Sequence, residues 1–245
     1  MAKKRGAGRS SSKGSQQARE DVLRKLQRWL LLSLFVVIAL VVLIVWFGGD
    51  DGRTAQWLED WQRRPADMMT MHKRRIGIIV GHMDYDSGAL CPDGLTEAET
   101  VNEIAGQVEK RLTQVGAQVD ILAEYDDALN GYTADALVSI HADSCLDRSG
   151  FKVARSETSL SPDVEDRLVS CLIDEYQQAT ELAFDPHTIT EDMTGYHAFN
   201  RVDDETPAAI IEVGFLGGDR QLLTEQPEIP AQGIANGIIC FLRDP

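Results

Sequence analysis

Two histidines close two short apolar runs. IGIIVGH ends on His82 and ALVSIH ends on His141, so each ring sits at the tip of a segment that reads as a buried strand. A third piece, GLTEAE, carries Glu97 and Glu99, and a fourth, AAIIEVGF, sets Glu212 inside an otherwise apolar run. Two imidazoles and a carboxylate with a fourth position open are the donor set of a catalytic zinc ion, and such a site uses a further carboxylate as its base. The residue types therefore predict Zn2+ held by His82, Glu97 and His141, with Glu212 as the catalytic group.

Helix geometry separates the two glutamates. Thr96 and Glu99 form a T-x-x-E capping box at the start of a helix, which gives Glu99 a structural task. Glu97 lies four residues before Val101 and eight before Ala105, on the stripe that faces inward, so it is the expected ligand. Glu212 has a bland alternative, a structural salt bridge. An ionised carboxylate among apolar neighbours needs a cation, a proton or water. In the chemical reading it takes a proton from the attacking water and returns one to the leaving amine. His197, in TGYHAF, is a cleft candidate without a ligand role; His187 falls in a loop and His72 in a tether.

Strands alternating with helices must position these groups. Strands are expected at 76–80, 118–122, 136–142, 151–153 and 208–215. Helices are expected from Thr96 to about Val115, ended by Gly116, and from Ser161-Pro162 to about Leu182. Two more close the chain near 219–225 and 230–242. Residues 184–206 are polar, with a short strand near Tyr196–Phe199. The fold class that follows is α/β: one domain with a mostly parallel twisted sheet covered by helices on both faces, preceded by one transmembrane helix. In such sheets ligands gather outside the carboxyl ends of strands, which is where both histidines fall.

The charge distribution divides the chain. Of 24 Lys/Arg and 39 Asp/Glu, residues 1–28 hold nine and two, leaving 15 against 37 beyond them. That acidic remainder makes the chain a poor candidate for binding nucleic acid. Between the two parts, Trp29 to Gly49 carries no charge, long enough to span a bilayer as a helix with a tryptophan near each end. A cleaved signal peptide is the alternative, but the apolar run is too long and Phe47-Gly48-Gly49-Asp50-Asp51 offers no A-x-A site. The expected organisation is a basic cytoplasmic tail (1–28), a transmembrane helix (29–49), a juxtamembrane tether (50–73) and an extracytoplasmic catalytic domain (74–245), a single-pass protein of the cell membrane. In that compartment four cysteines can pair in three ways, or remain as buried thiols. The pairing expected is Cys91–Cys145, since each follows a site histidine by a few residues, and Cys171–Cys240, which would tie two helices.

In this order the motifs VGH (80–82), GLTE (94–97), SIHAD (139–143) and PAAIIEVGFLGGD (207–219) resemble the zinc-dependent N-acetylmuramoyl-L-alanine amidases of the type-3 fold. The resemblance spans about residues 75–243. It implies that His82, Glu97 and His141 hold zinc, that Glu212 is the catalytic glutamate, and that the bond cleaved joins N-acetylmuramic acid to the L-alanine of peptidoglycan or a related envelope polymer. Some rim positions depart from the family pattern. Val80 replaces a proline, MDYDSG a glycine-rich stretch, and Asp143 an asparagine. AEYDD and LNGYTAD stand where arginines are usual. The rival readings are a zinc amidase or peptidase acting on another envelope polymer, and a non-catalytic envelope-binding scaffold with a relic site.

Overall fold

A computed structural model describes residues 23–39, 42 and 66–243, and the middle strand of its one sheet is the run that carries His141. Strands Arg75–Val80 (β1), Gln118–Ala123 (β2), Ala136–Asp143 (β3), Lys152–Ala154 (β4) and Ala208–Phe215 (β5) lie in the order β2-β1-β3-β5-β4. All pairings are parallel except that of β4 with β5. Because successive side chains of a strand point to opposite faces, the sheet sorts its residues by parity. Ile76, Ile78 and Val80 of β1, Val138 and Ile140 of β3, and Ala209, Ile211 and Val213 of β5 enter the larger core. Ile79, Leu137, Ala208 and Ile210 enter a smaller one on the other face.

The chain divides into two units, residues 1–62 and 63–245. In the first, 23–39 form a helix (α1) whose apolar side chains from Leu30 to Ile38 lie exposed. No helix among the described residues is long and apolar enough to cross a membrane. The span expected at 29–49 runs past the described residues, and the tether's Trp57 and Trp61 lie outside them.

In the second unit a short helix at 66–71 (α2) precedes β1. Helix α3 (Glu97–Gln114) follows the site loop, and α4 (Pro162–Thr180) follows β4. The short α5 (Glu191–Thr194) and α6 (Arg220–Glu225) lead to α7 (Glu228–Arg243). Thr96 caps α3 by accepting from the Glu99 N–H at 3.2 Å, and the stripe Val101, Ile104, Ala105, Val108, Leu112 is buried as its spacing requires. At its other end Gly116, at φ +97°, lets the Ala117 and Gly116 N–H groups bond the carbonyls of Leu112 and Thr113, satisfying two orphan acceptors. Ser161 stands at the N-cap of α4, but its side chain makes no capping bond; Pro162 opens the helix unaided.

Helices α4 and α7 pack at backbone distance. A Cβ on Gly233 or Gly237 would stand 2.8 Å from the Cα of Tyr176 or Leu172, so glycine is required at both. The same pair of helices is joined by Cys171–Cys240, and a second disulfide links Cys91 to Cys145. The Cys171–Cys240 bridge closes a loop of 69 residues. Replacing both cysteines by serine should lower the free energy of unfolding by about 2–4 kcal/mol, measured by denaturant titration without reductant.

The expectation of helices on both faces holds for one of them. Helices α3, α4 and α7 cover the larger core, whereas the other face is closed by the single-turn helix α5 and by 3-10 turns at Asp127–Leu129 and His197–Asn200. The strand expected near Tyr196–Phe199 is one of these turns, a 3-10 helix. Its β-like composition is overridden by hydrogen bonds that fix Tyr196 and His197 to the site.

Candidate metal centre

The smaller face carries the chemistry. His141 and Glu212 have the parity of Leu137 and Ile210, and the β3–β5 register sets them directly opposite each other. His82 lies two residues past the end of β1 in a left-handed conformation, φ +65°, where its N–H leaves the sheet ladder and donates to Glu124 Oε2 at 2.9 Å. Gly81 allows the approach: a Cβ there would lie 2.7 Å from both Nδ1 and Cε1 of His141.

Glu97, buried at the first turn of α3, reaches both rings. Its Oε1 is 3.2 Å from His82 Nε2 and 3.2 Å from His141 Nδ1, and accepts the Ala142 N–H at 3.1 Å. Its Oε2 accepts the Ala89 N–H at 3.1 Å. One ligand atom from each of His82, Glu97 and His141 lies within 4.8 Å of the other two, and among the described residues no other group could hold a metal in this way. Glu99 is exposed, and only its backbone N–H takes part in the cap, donating to Thr96 Oγ1. Behind His82, Asp86 Oδ1 lies 2.6 Å from the ring's Nδ1, the carboxylate–imidazole arrangement that orients metal-binding histidines.

The electrostatics suit a cation. Burial would push the Glu97 carboxyl up, but hydrogen bonds to His141 and His82 outweigh it and hold it at about 2. The same contact with Glu97, opposed by burial, lifts His82 to about 9. His141 is raised as well: burial works against its charge, and Glu97, Glu212 and Glu124 together prevail. Glu212 moves the other way for a carboxylate, up to about 7, through burial that the nearby His141 only partly offsets. His141 Nε2 and Glu212 Oε2 are buried without a hydrogen-bond partner among the described residues. Two imidazoles, a carboxylate and a nearby unpartnered carboxylate oxygen fit zinc with an open position.

Two residues of the site escaped the sequence reading. Glu124, buried just past β2, accepts from His82 N–H, from the Tyr196 hydroxyl at 2.9 Å and from His197 Nε2 at 2.8 Å, and its Oε2 is 3.4 Å from His141 Nε2. Tyr196 also accepts from Ser139 Oγ at 3.0 Å. His197 stacks on Tyr125, ring centroids 4.2 Å apart, so it lies beside the cleft and outside the ligand set. His187 sits in a short 3-10 turn. Lys152, opposite Glu212 across the β4–β5 pair, is buried and forms an ion pair with Asp143. The signal for Glu124 was present: it follows a strand at the same sheet end as both histidines. Glu124→Gln should weaken zinc binding about 10–100-fold in a chelator competition, because it loosens both histidines without removing a ligand.

A family model described as N-acetylmuramoyl-L-alanine amidase matches residues 76–240. Solved structures share the fold, among them three amidases. The Ami1 amidase of Mycobacterium smegmatis is 20% identical, with TM-score 0.59, covering 70% of this chain and 98% of its own. The CwlD amidase of Clostridioides difficile, solved with the GerS lipoprotein, is 19% identical, with TM-score 0.55 and coverages of 69% and 98%. AmiC2 of Nostoc punctiforme is 24% identical, with TM-score 0.53 and coverages of 69% and 96%. No curated protein matches the chain.

Proposed function

Since this chain belongs to the N-acetylmuramoyl-L-alanine amidase family, we propose that it is a zinc hydrolase cutting the amide between N-acetylmuramic acid and L-alanine in peptidoglycan. His82, Glu97 and His141 would hold the metal and Glu212 would carry the proton. The observation that supports this most is the convergence of three ligand atoms within 4.8 Å on the sheet face that also bears Glu212.

A zinc ion held there would act as a Lewis acid on the scissile carbonyl and make water nucleophilic at neutral pH. The rest falls to the chain. Glu212 at about 7 is poised to accept a proton from water and deliver it to the departing amine. Asp86 orients the His82 imidazole, Glu124 holds the His82 backbone N–H, and Glu97 is itself held by two backbone N–H groups. Tyr125, Tyr196 and His197 form an aromatic wall beside the cleft.

The full chain, zinc-loaded and then chelated, should be tried on muropeptides, with release of peptides bearing a free L-alanine amine as the readout. Cleavage lost on chelation and regained with zinc supports the amidase. Zinc binding without cleavage points to another envelope polymer, and the absence of both zinc binding and cleavage favours the scaffold reading.

We also infer that the domain works outside the cytoplasm, tethered by a single membrane helix at 29–49. The charge-free stretch with its basic N-terminal flank supports this, as do two disulfides in the folded unit. Protease added to intact cells should digest the domain; complete protection would sink the topology.

A further inference from the structure

Four residues upstream of Glu212 on β5, about 13 Å along the same face of the sheet, Ala208 borders a separate cavity of about 160 Å³. A cavity of about 150 Å³ accommodates a six-carbon guest. Its wall has an acidic part, Glu165, Asp203 and Asp204, and an apolar part, Leu160, Phe199 and Val202. Glu165 stands in the first turns of α4 with only 7% of its surface exposed. Its Oε1 accepts the Ala208 N–H at 3.3 Å, while Oε2 is buried with no hydrogen-bond partner among the described residues.

We propose that this cavity binds a primary ammonium group carried on an alkyl arm, as in a lysine-like side chain. A buried carboxylate with one unpartnered oxygen needs a proton or a cation, and the surroundings supply neither in full. Burial raises the Glu165 carboxyl above its ordinary range, and the Ser159 side chain and the Ala208 N–H, which act against it, do not offset the loss of water. Arg155, which acts on it from a distance, is engaged by Asp166 at 2.5 Å and by the Ser156 carbonyl at 2.7 Å. A compact metal ion is the weaker fit, because the three acids do not converge as the histidines and Glu97 do. An ammonium on a methylene stem matches both parts of the wall: the head answers Glu165, Asp203 and Asp204, and the stem lies against Leu160, Phe199 and Val202. Leu160 is 76% exposed, an apolar surface otherwise given to solvent.

The test is calorimetric titration of the full chain with N-acetyl-lysine amide, beside its uncharged counterpart N-acetyl-norleucine amide and calcium chloride. The wild type should bind the lysine compound saturably and the other two not. Glu165→Gln keeps an acceptor for the Ala208 N–H but loses the charge, and should bind at least tenfold more weakly. Asp204→Asn, an exposed change that leaves the fold alone, should weaken binding severalfold should Glu165→Gln fail to fold. Absence of saturable binding, equal binding of lysine and norleucine amides, unaltered affinity in both variants, or a response to calcium alone would overturn the proposal. The source of the amine is read separately. If the hydrolysed polymer carries it, Glu165→Gln raises KM, with kcat unchanged, for wall fragments with a free side-chain amine and not for their N-acetylated forms. If hydrolysis is indifferent while the titration holds, the ligand is a soluble amine. The titration does not depend on hydrolysis, so it stands or falls apart from the amidase reading.

Discussion

Glu212→Gln should lower kcat on muropeptides by about 10²–10⁴-fold, or about 3–5 kcal/mol of barrier, while zinc content stays unchanged. The substitution keeps the shape of a side chain on β5 opposite His141 and removes only its ability to take and return a proton. A stability control separates lost chemistry from a lost fold. In the metal-free protein burial raises Glu212 from 4.5 to about 7, so the fold prefers the protonated form. The wild type therefore keeps this contribution below pH 4.5 and loses it as pH rises through about 7. Glutamine has no such loss, so the metal-free variant should melt no lower than wild type at pH 8. A large drop in kcat with an equal or higher melting temperature assigns Glu212 to the reaction. Undiminished kcat would return it to the structural salt bridge.

Glu97→Ala should abolish stoichiometric zinc binding, and Glu99→Ala should leave it intact at the cost of a small loss at the helix cap. Metal analysis of the two purified variants decides between them. Removing Glu97 deprives both histidines of the oxygen they share at 3.2 Å. The accompanying pH dependence has a definite sign. His82 is raised from 6.5 to about 9 in the metal-free site, so its partnership with Glu97 stabilises fully below 6.5 and fades as pH climbs through 9. Glu97 is lowered from 4.5 to about 2, and its share is present above 4.5 and lost as pH falls through 2. The two shifts describe one contact seen from both ends and are not summed. Zinc must displace the proton from His82, so the thermal stabilisation given by zinc should grow from pH 6 toward 9. A flat profile across that range would mean that His82 does not bind the metal.

The strands were legible because their apolar runs are short, β-rich and bounded by glycine or by a charged residue; β5 runs from Ala208 to Phe215 as read. The helical stripe and its cap told Glu97 from Glu99 by orientation, which the buried and exposed positions of the two repeat. Glu124 was not found, because an acid in AEYDD beyond a weakly alternating strand looks like an ordinary solvated loop. Its hydrogen-bond donors lie 42 to 73 positions away in the chain, a relation that no local spacing encodes. The same holds for Tyr196, whose hydroxyl is spoken for by Ser139 and Glu124. The segment 184–206 has no periodic pattern because it closes a small core with turns, where tertiary hydrogen bonds decide the backbone.

The parity of the sheet makes tolerance to change alternate residue by residue. In a saturation library scored twice, once for abundance and once for wall cleavage, Val138, Ile140, Ile211 and Val213 would fail both screens, since they fill the larger core. Their neighbours Ser139, His141 and Glu212 would yield many full-length, soluble, inactive clones. A period of two in the difference between the scores along β3 and β5 would trace the division of one strand between architecture and chemistry.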